Sequence, residues 1–477
     1  MTTKFHSLII LLALLSGFVS SGLVHQPQAQ EQRPTPASPP KPEPASDPGD
    51  EPVAITEKSK PVVQVEQTPL KSDQFANFRP PFVNSKGEIS VLGIYADSAT
   101  PNRAGQLMYR RSADGKWRRV LEEGEKTADT GVIISSFGIP HVNETGDLTF
   151  LADGPREVET ASQITDPNDP AAYRPFIPNK VLYKKGSTGI KTLYKMGTEV
   201  PNMPSYITGI TNISSNSVGT TSFIGTYVEP DGRGLFFVND GVVKLIARSG
   251  QKLGKNETGS FSEHYYPSAI NDRNEVAFLG RSGEKSGIFI GSLKGVEMVA
   301  FGGRPSPLKG SNFIGFGNRT PTINNRGDVA FIGFFDGPEA GRGLFFKPVD
   351  GPLRLVARSG EVIPGTNWNF TDFNAVSLND NGDIAFAASF AGRSRGIFVK
   401  TIRGVLETVA LQNQRIPGGE KEDVFNHFTA PDINSRGEVV FYAQWRTPRV
   451  GVNIGVFWRD PQGTLRMLFQ RGDQMPK

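Results

Sequence analysis

Few side chains in this sequence could do chemistry, and most of those share one position. A short motif, Phe/Ile-x-z-Phe/Ile/Tyr, returns seven times, with one extra residue in the fourth copy. Position z is Asn77, Ser136, Gly209, His264, Gly315, Asp372 and His427. Two imidazoles and a carboxylate at equivalent points of a symmetric array could ligate a metal or move a proton. Small polar residues also fit a crowded axis, and two His with one Asp of unknown geometry make a weak metal signal. No metal, cofactor or catalytic residue is therefore expected. Asn77, Ser136, His264, Asp372 and His427 stand as candidate binding residues at the mouth of a central channel.

A second candidate is an insertion from about Asp153 to Asn179, which carries Arg156, Tyr173, Arg174 and Phe176 beside Glu157, Glu159, Asp166 and Asp169. Such a segment could be a lid or an arm for a partner. It could equally be a tolerated surface insertion, since loop length costs little free energy. Other motifs fail. Asp166-Pro-Asn-Asp169 and Asn379-Asp-Asn-Gly-Asp383 lack the ligand spacing and terminal Glu of a calcium loop. There is no Gly-rich phosphate loop, Gly-x-Ser-x-Gly elbow or His-Glu-x-x-His.

The elements that position these residues are repeats. Asn-x-x-Gly followed by an apolar strand begins at Asn84, Asn143, Asn216, Asn271, Asn324, Asn379 and Asn434, in steps of 59, 73, 55, 53, 55 and 55 residues. In the fourth copy Asn274 replaces the Gly. A fixed period of this size marks one supersecondary unit used repeatedly. Within a unit the apolar pieces run four to eight residues, rich in Phe, Val, Ile and Leu, and are bounded by Gly, Asn, Asp or Pro. These are four strands per unit. Asn-x-x-Gly suits the hairpin between the first two: Asn bonds a backbone N–H ahead, and Gly accepts positive φ. A second hairpin, such as Asp240-Gly241 or Asp350-Gly351, joins the third and fourth.

Seven residues after each Asn stands Phe150, Phe223, Phe278, Phe331, Phe386 or Phe441, with Val91 in the first copy. The residue before it is small (Ser90, Thr149, Ser222, Ala277, Ala330, Ala385) except Val440. One bulky and one small face predict a sheet covered on both sides, large face into small face around a ring. The expected fold is all-β: a seven-bladed β-propeller of four-stranded antiparallel blades over residues 71–477. A solenoid or a pair of sandwiches explains the period less well. Alternating strand direction puts both hairpins of every blade on one face. The longer connections fall on the other face, where binding is expected.

The pattern quoted best by Ile323-Asn-Asn-Arg-Gly-Asp-Val-Ala-Phe331 and Leu378-Asn-Asp-Asn-Gly-Asp-Ile-Ala-Phe386 resembles the tandem NxxGxxAF repeat of exported bacterial proteins. The resemblance spans residues 75–477. It implies export and a propeller-like architecture, and brings no catalytic residues with it.

The first 70 residues read differently. Lys4 and the apolar run Leu8–Val19 form a signal peptide over residues 1–21, or an uncleaved anchor. Residues 22–70, rich in Pro, Glu, Gln and Ser, predict a disordered tether. The chain has 477 residues, no cysteine and a net charge of +4 with no basic stripe. That excludes disulfides, thiolate metal sites and a Cys nucleophile, and argues against nucleic acid as a partner. The expected function is an exported, secreted or periplasmic, non-catalytic binding or scaffold protein engaging an envelope or extracellular protein or glycan through its long-loop face. Any membrane tether is expected through the N-terminus alone. Alternatives are a polysaccharide-acting hydrolase or lyase with its site at the channel mouth, or a structural surface-layer component.

Overall fold

The computed structural model describes residues 74–96, 104–154, 179–200, 203, 206–228, 231–254, 257–262, 265–316, 321–390, 394–447 and 451–476. They form seven antiparallel sheets, each a meander along the chain. Blade 6 shows the unit plainly: Phe370–Leu378, Ile384–Phe390, Ser394–Lys400 and Leu406–Leu411, hydrogen-bonded in that order. The inner strand is broken in two in blades 1, 5 and 7, as in Phe313–Gly315 and Thr322–Ile323. The seven-bladed propeller is thus the observed architecture.

Asn-x-x-Gly is the turn between the first and second strands. In blade 5 the Oδ1 of Asn324 accepts the N–H groups of Arg326 (3.1 Å) and Asp328 (2.9 Å). Gly327 sits at φ 92°, and Asn274, in the same place of blade 4, at φ 58°. The acid that follows ties the face together. Asp328 Oδ1 accepts the N–H of Val349, and Asp383 Oδ1 that of Ile402, both in third-to-fourth-strand turns. Both kinds of hairpin therefore share one face.

Seven apolar cores lie between blades, one at each interface. Ala330 of blade 5 packs with Phe373 and Phe386 of blade 6, and Ala385 of blade 6 with Phe425 and Phe441 of blade 7. Within a blade the phenylalanines stack across strands: Phe386–Phe398 at 5.5 Å and Phe441–Phe457 at 5.7 Å. The entry Phe of the inner strand meets this stack edge-on, as in Phe370–Phe398 at 5.0 Å. The seventh core joins Val440 and Val456 of blade 7 to Val91 and Tyr109 of blade 1, closing the ring.

Closure repeats the ordinary junction. After the last strand of blade 5, Gly360 N–H bonds Phe370 O of the next entry strand (2.8 Å). After the last strand of blade 7, Gly472 N–H bonds Phe75 O in the same way (2.8 Å), and Phe75 N–H returns to Asp473 O (3.0 Å). Among the described residues each blade contains only its own consecutive strands, with none exchanged between blade 1 and blade 7.

Candidate functional site

Three layers of side chains converge on the axis at the hairpin face, around a recess of about 270 Å³. The turn asparagines form the first layer. Each Nδ2 donates to a backbone oxygen of the next blade's turn: Asn143 to Asn216, Asn216 to Asn271, Asn379 to Asn434 and Asn434 to Asn84, all at 2.8 Å. Asn271 reaches Asn324 and Asn324 reaches Asn379 at 3.0 Å. Asn84 completes the circle on Glu144 O at 3.3 Å, one residue past Asn143. These side chains are buried and doubly used: Oδ1 closes its own turn and Nδ2 grips the neighbour.

The second layer lies two residues before each Asn: Phe82, His141, Ser214, Ala269, Thr322, Ser377 and Asp432. Four of these accept the N–H one residue further along the next blade. His141 Nδ1 accepts from Ser215 (3.1 Å), Ser214 Oγ from Ile270 (3.2 Å), Ser377 Oγ from Ile433 (3.3 Å) and Asp432 Oδ2 from Val83 (2.9 Å). Because His141 Nδ1 is an acceptor, the neutral ring carries its proton on Nε2, 3.2 Å from Ser214 Oγ. Burial pushes this imidazole down to about 4. Asp432 also accepts from Ser377 Oγ (2.9 Å). Burial raises its carboxyl to about 6, against the lowering effect of the Val83 N–H and the Ser377 hydroxyl. Both residues present an edge to the recess while protein encloses the rest, so burial sets the direction of each shift.

The third layer follows each Asn by one residue and forms the rim. Asp272 Oδ1 accepts the N–H of Ser217 (2.7 Å), Asn325 Oδ1 that of Asp272 (2.9 Å) and Asp380 Oδ1 that of Asn325 (2.8 Å). Glu144 Oε2 does the same for Ser85 (2.5 Å). Carboxylates of Glu88, Glu144, Asp272, Asp380 and Asp432 thus line the recess, with Phe82 beside His141 at 6.2 Å between ring centres. Among the described residues neither Lys nor Arg lines it. Among the described residues no three His, Cys, Asp or Glu side chains are grouped to hold a metal ion.

The residues singled out from sequence sit elsewhere. Asn77, Asp372 and His427 follow a β-bulge at the far end of the inner strand, away from the turn asparagines. The bulge explains their small or polar character. Asn77 Oδ1 accepts the N–H of Phe78, and Asp372 Oδ1 that of Phe373, both at 2.8 Å. Asp372 also pairs with Arg342 of the preceding blade at 2.7 Å. His427 is half-buried, its pKa lowered by burial and then by Arg395, and its Nδ1 has no partner among the described residues. Ser136 is exposed in the connection entering blade 2. None of these lines the recess. His264, Arg156, Tyr173, Arg174 and Phe176 lie outside the described residues. The axial layers were missed because Asn-x-x-Gly is already explained as a turn. Their signal was polar residues at fixed offsets from each Asn, interrupting otherwise apolar strands.

A family model described as "Family of unknown function (DUF7453)" matches residues 47–166, 177–412 and 388–477. No curated protein matches the chain. Among solved structures, the β-propeller domain of the Trilobed protease from Pyrococcus furiosus is similar at 10% identity, with TM-score 0.49 over 84% of this chain and 100% of that one. A Mycobacterium tuberculosis puromycin-hydrolyzing peptidase is similar at 11% identity, TM-score 0.46, over 86% of this chain and 56% of that one. The polysaccharide lyase Uly1 is similar at 12% identity, TM-score 0.39, over 82% and 91%. The propeller assignment rests on this chain's own strand order.

Proposed function

The chain belongs to that family of unknown function, DUF7453, and we propose that it is a non-catalytic binding propeller. In this reading it is exported and holds a protein or glycan of the cell envelope on the face of the long blade-to-blade connections. The observation that carries it is the use made of the axial polar groups. His141, Ser214, Ser377, Asp432 and the turn asparagines each bond a neighbouring blade, as the rim side chains Glu144, Asp272, Asn325 and Asp380 do. Groups spent in this way lock a rigid ring, which leaves recognition to the opposite face. The test is capture from envelope extract by the full chain, compared with a chain lacking residues 155–178. Loss of capture with unchanged circular dichroism supports the insertion as part of the binding face; unchanged capture removes it.

A second reading, a polysaccharide-acting enzyme, is favoured by one observation: the Asp432 carboxyl, raised to about 6, opens on a recess with further carboxylates. Turnover of a polysaccharide by the wild type that Asp432→Asn abolishes would replace the binding proposal.

A further inference from the structure

Of the protein's four tryptophans, Trp445 is buried, Trp117 and Trp458 are half-buried, and Trp368 is 43% exposed. Trp368 stands in the connection entering blade 6, on the face opposite the turn asparagines. Its indole lies flat on the buried Phe390 ring, 5.2 Å between centres and 19° between planes. A tight loop holds it. Ile363 N–H bonds Trp368 O (2.8 Å), Trp368 N–H bonds Thr366 Oγ1 (3.1 Å), and Thr366 Oγ1 donates to Ile363 O (2.9 Å). One indole face is thus fixed against protein while the ring stays open to solvent.

The fold does not require an aromatic residue there. The blade-entry connections make a short bridge just before their buried entry residues, Gln74–Gln474 and Glu199–Tyr206 among them; in five the residue before the second partner is described as well: Lys126–Ile133, Lys252–Ser260, Pro305–Asn312, Val362–Asn369 and Arg415–Val424. The residue preceding the second partner is Val132, Gly259, Ser311, Trp368 or Asp423. Ser311 and Asp423 are buried and bond backbone: Ser311 Oγ donates to Asp336 O, beyond the second strand of its blade, and Asp423 Oδ2 accepts the N–H of Glu420 in its own loop. Blade 6 alone among these five puts a large ring at this point and leaves it exposed, at the cost of apolar surface in water.

We propose that Trp368 is the platform of a glycan-binding subsite, taking the apolar C–H face of a pyranose ring. The neighbours suit that ligand. Asn367 and Asn369 flank Trp368 along the chain and are exposed. On the inner strand that follows, exposed Asn374 bonds Ser389 Oγ (3.1 Å) one residue before Phe390. These are uncharged amides and hydroxyls, which both donate and accept as sugar hydroxyls do. A single indole is too small for a stable protein interface, which needs roughly 800 Å² per partner. For one sugar ring it is sufficient, and its prior fixation lowers the ordering cost.

The inference rests on the binding reading above and narrows its partner to a glycan. The experiment is tryptophan-fluorescence titration of the full chain with cellohexaose, xylohexaose and chitohexaose. Wild type, Trp368→Phe and Trp368→Ala are compared, with circular dichroism as the fold control. Support is a saturable change in wild-type emission with at least one sugar, weakened at least tenfold in Trp368→Ala and less in Trp368→Phe. No binding by the wild type, or equal affinity in Trp368→Ala by calorimetry, overturns it. Capture of an envelope partner unaffected by Trp368→Ala overturns this inference and leaves the binding reading standing. Failure of the wild type to capture any partner removes both.

Discussion

Replacing Asn324 with Asp separates two accounts of the repeated asparagine. If Asn324 only shapes its turn, Asp should serve equally, since both close the same local turn through a side-chain oxygen. In the ring, Nδ2 also donates to Asn379 O (3.0 Å) and Asp328 Oδ2 (2.9 Å), and Asn324→Asp converts that donor into an acceptor. Two donated bonds are worth about 1 kcal/mol each net. Two carboxylates about 3 Å apart add repulsion of up to about 5 kcal/mol at an effective dielectric near 20. Side-chain movement or proton sharing reduces that figure, so the expected loss is about 3–5 kcal/mol in all. Urea unfolding at pH 7, followed by both fluorescence and circular dichroism, measures it. Part of the loss should return below pH 5, where one proton can bridge the pair. A variant within about 0.5 kcal/mol of wild type would refute the ring as a stabilising element.

Other consequences can be checked together. Burial holds the folded pKa of His141 at about 4, below the ordinary imidazole value of 6.5, so its contribution is present above 6.5 and lost as pH falls toward 4. Asp432 is raised from 3.8 to about 6, so its contribution is present below 3.8 and lost as pH rises toward 6. The two oppose each other between about 4 and 6. Asp432→Asn should then leave stability rising with pH across that window, and His141→Asn should leave it falling, by at most about 3 kcal/mol each. Parallel pH profiles for both variants would count against this. Gly327→Ala should cost about 1–2 kcal/mol from its φ of 92°, whereas Asn274→Gly relieves a φ of 58° but removes the bond that Asn216 Nδ2 donates to Asn274 Oδ1 (2.8 Å), so the two effects should nearly cancel, within about 1 kcal/mol, in the same melts. Removing residues 471–477 deletes the Gly472 and Asp473 bonds to Phe75. It should expose blade 1 to limited proteolysis and lower the melting temperature; an unchanged digest would mean that closure relies on the apolar seventh interface alone.

The sequence by itself determined the blade, because a blade is local. Strand periods, turn residues at fixed offsets and the Phe/small alternation all act within about 55 residues, and seven copies at one period specify a ring. Its two exceptions, Val91 and Val440, have no reason visible along the chain. They meet in the interface between blades 7 and 1, where a larger residue on the small side faces a smaller one on the large side. Likewise Asn324 read as a turn residue is correct but incomplete, because its second bond goes 55 positions along the chain. The polar layer of His141, Ser214, Ser377 and Asp432 has no local purpose at all; each side chain satisfies a backbone N–H of another blade. Exposure of Trp368 on a buried Phe390 is a fact of packing of the same kind. Local chemistry fixes φ, turns and strand faces, while partners supplied by a neighbouring blade exist only once the ring has closed.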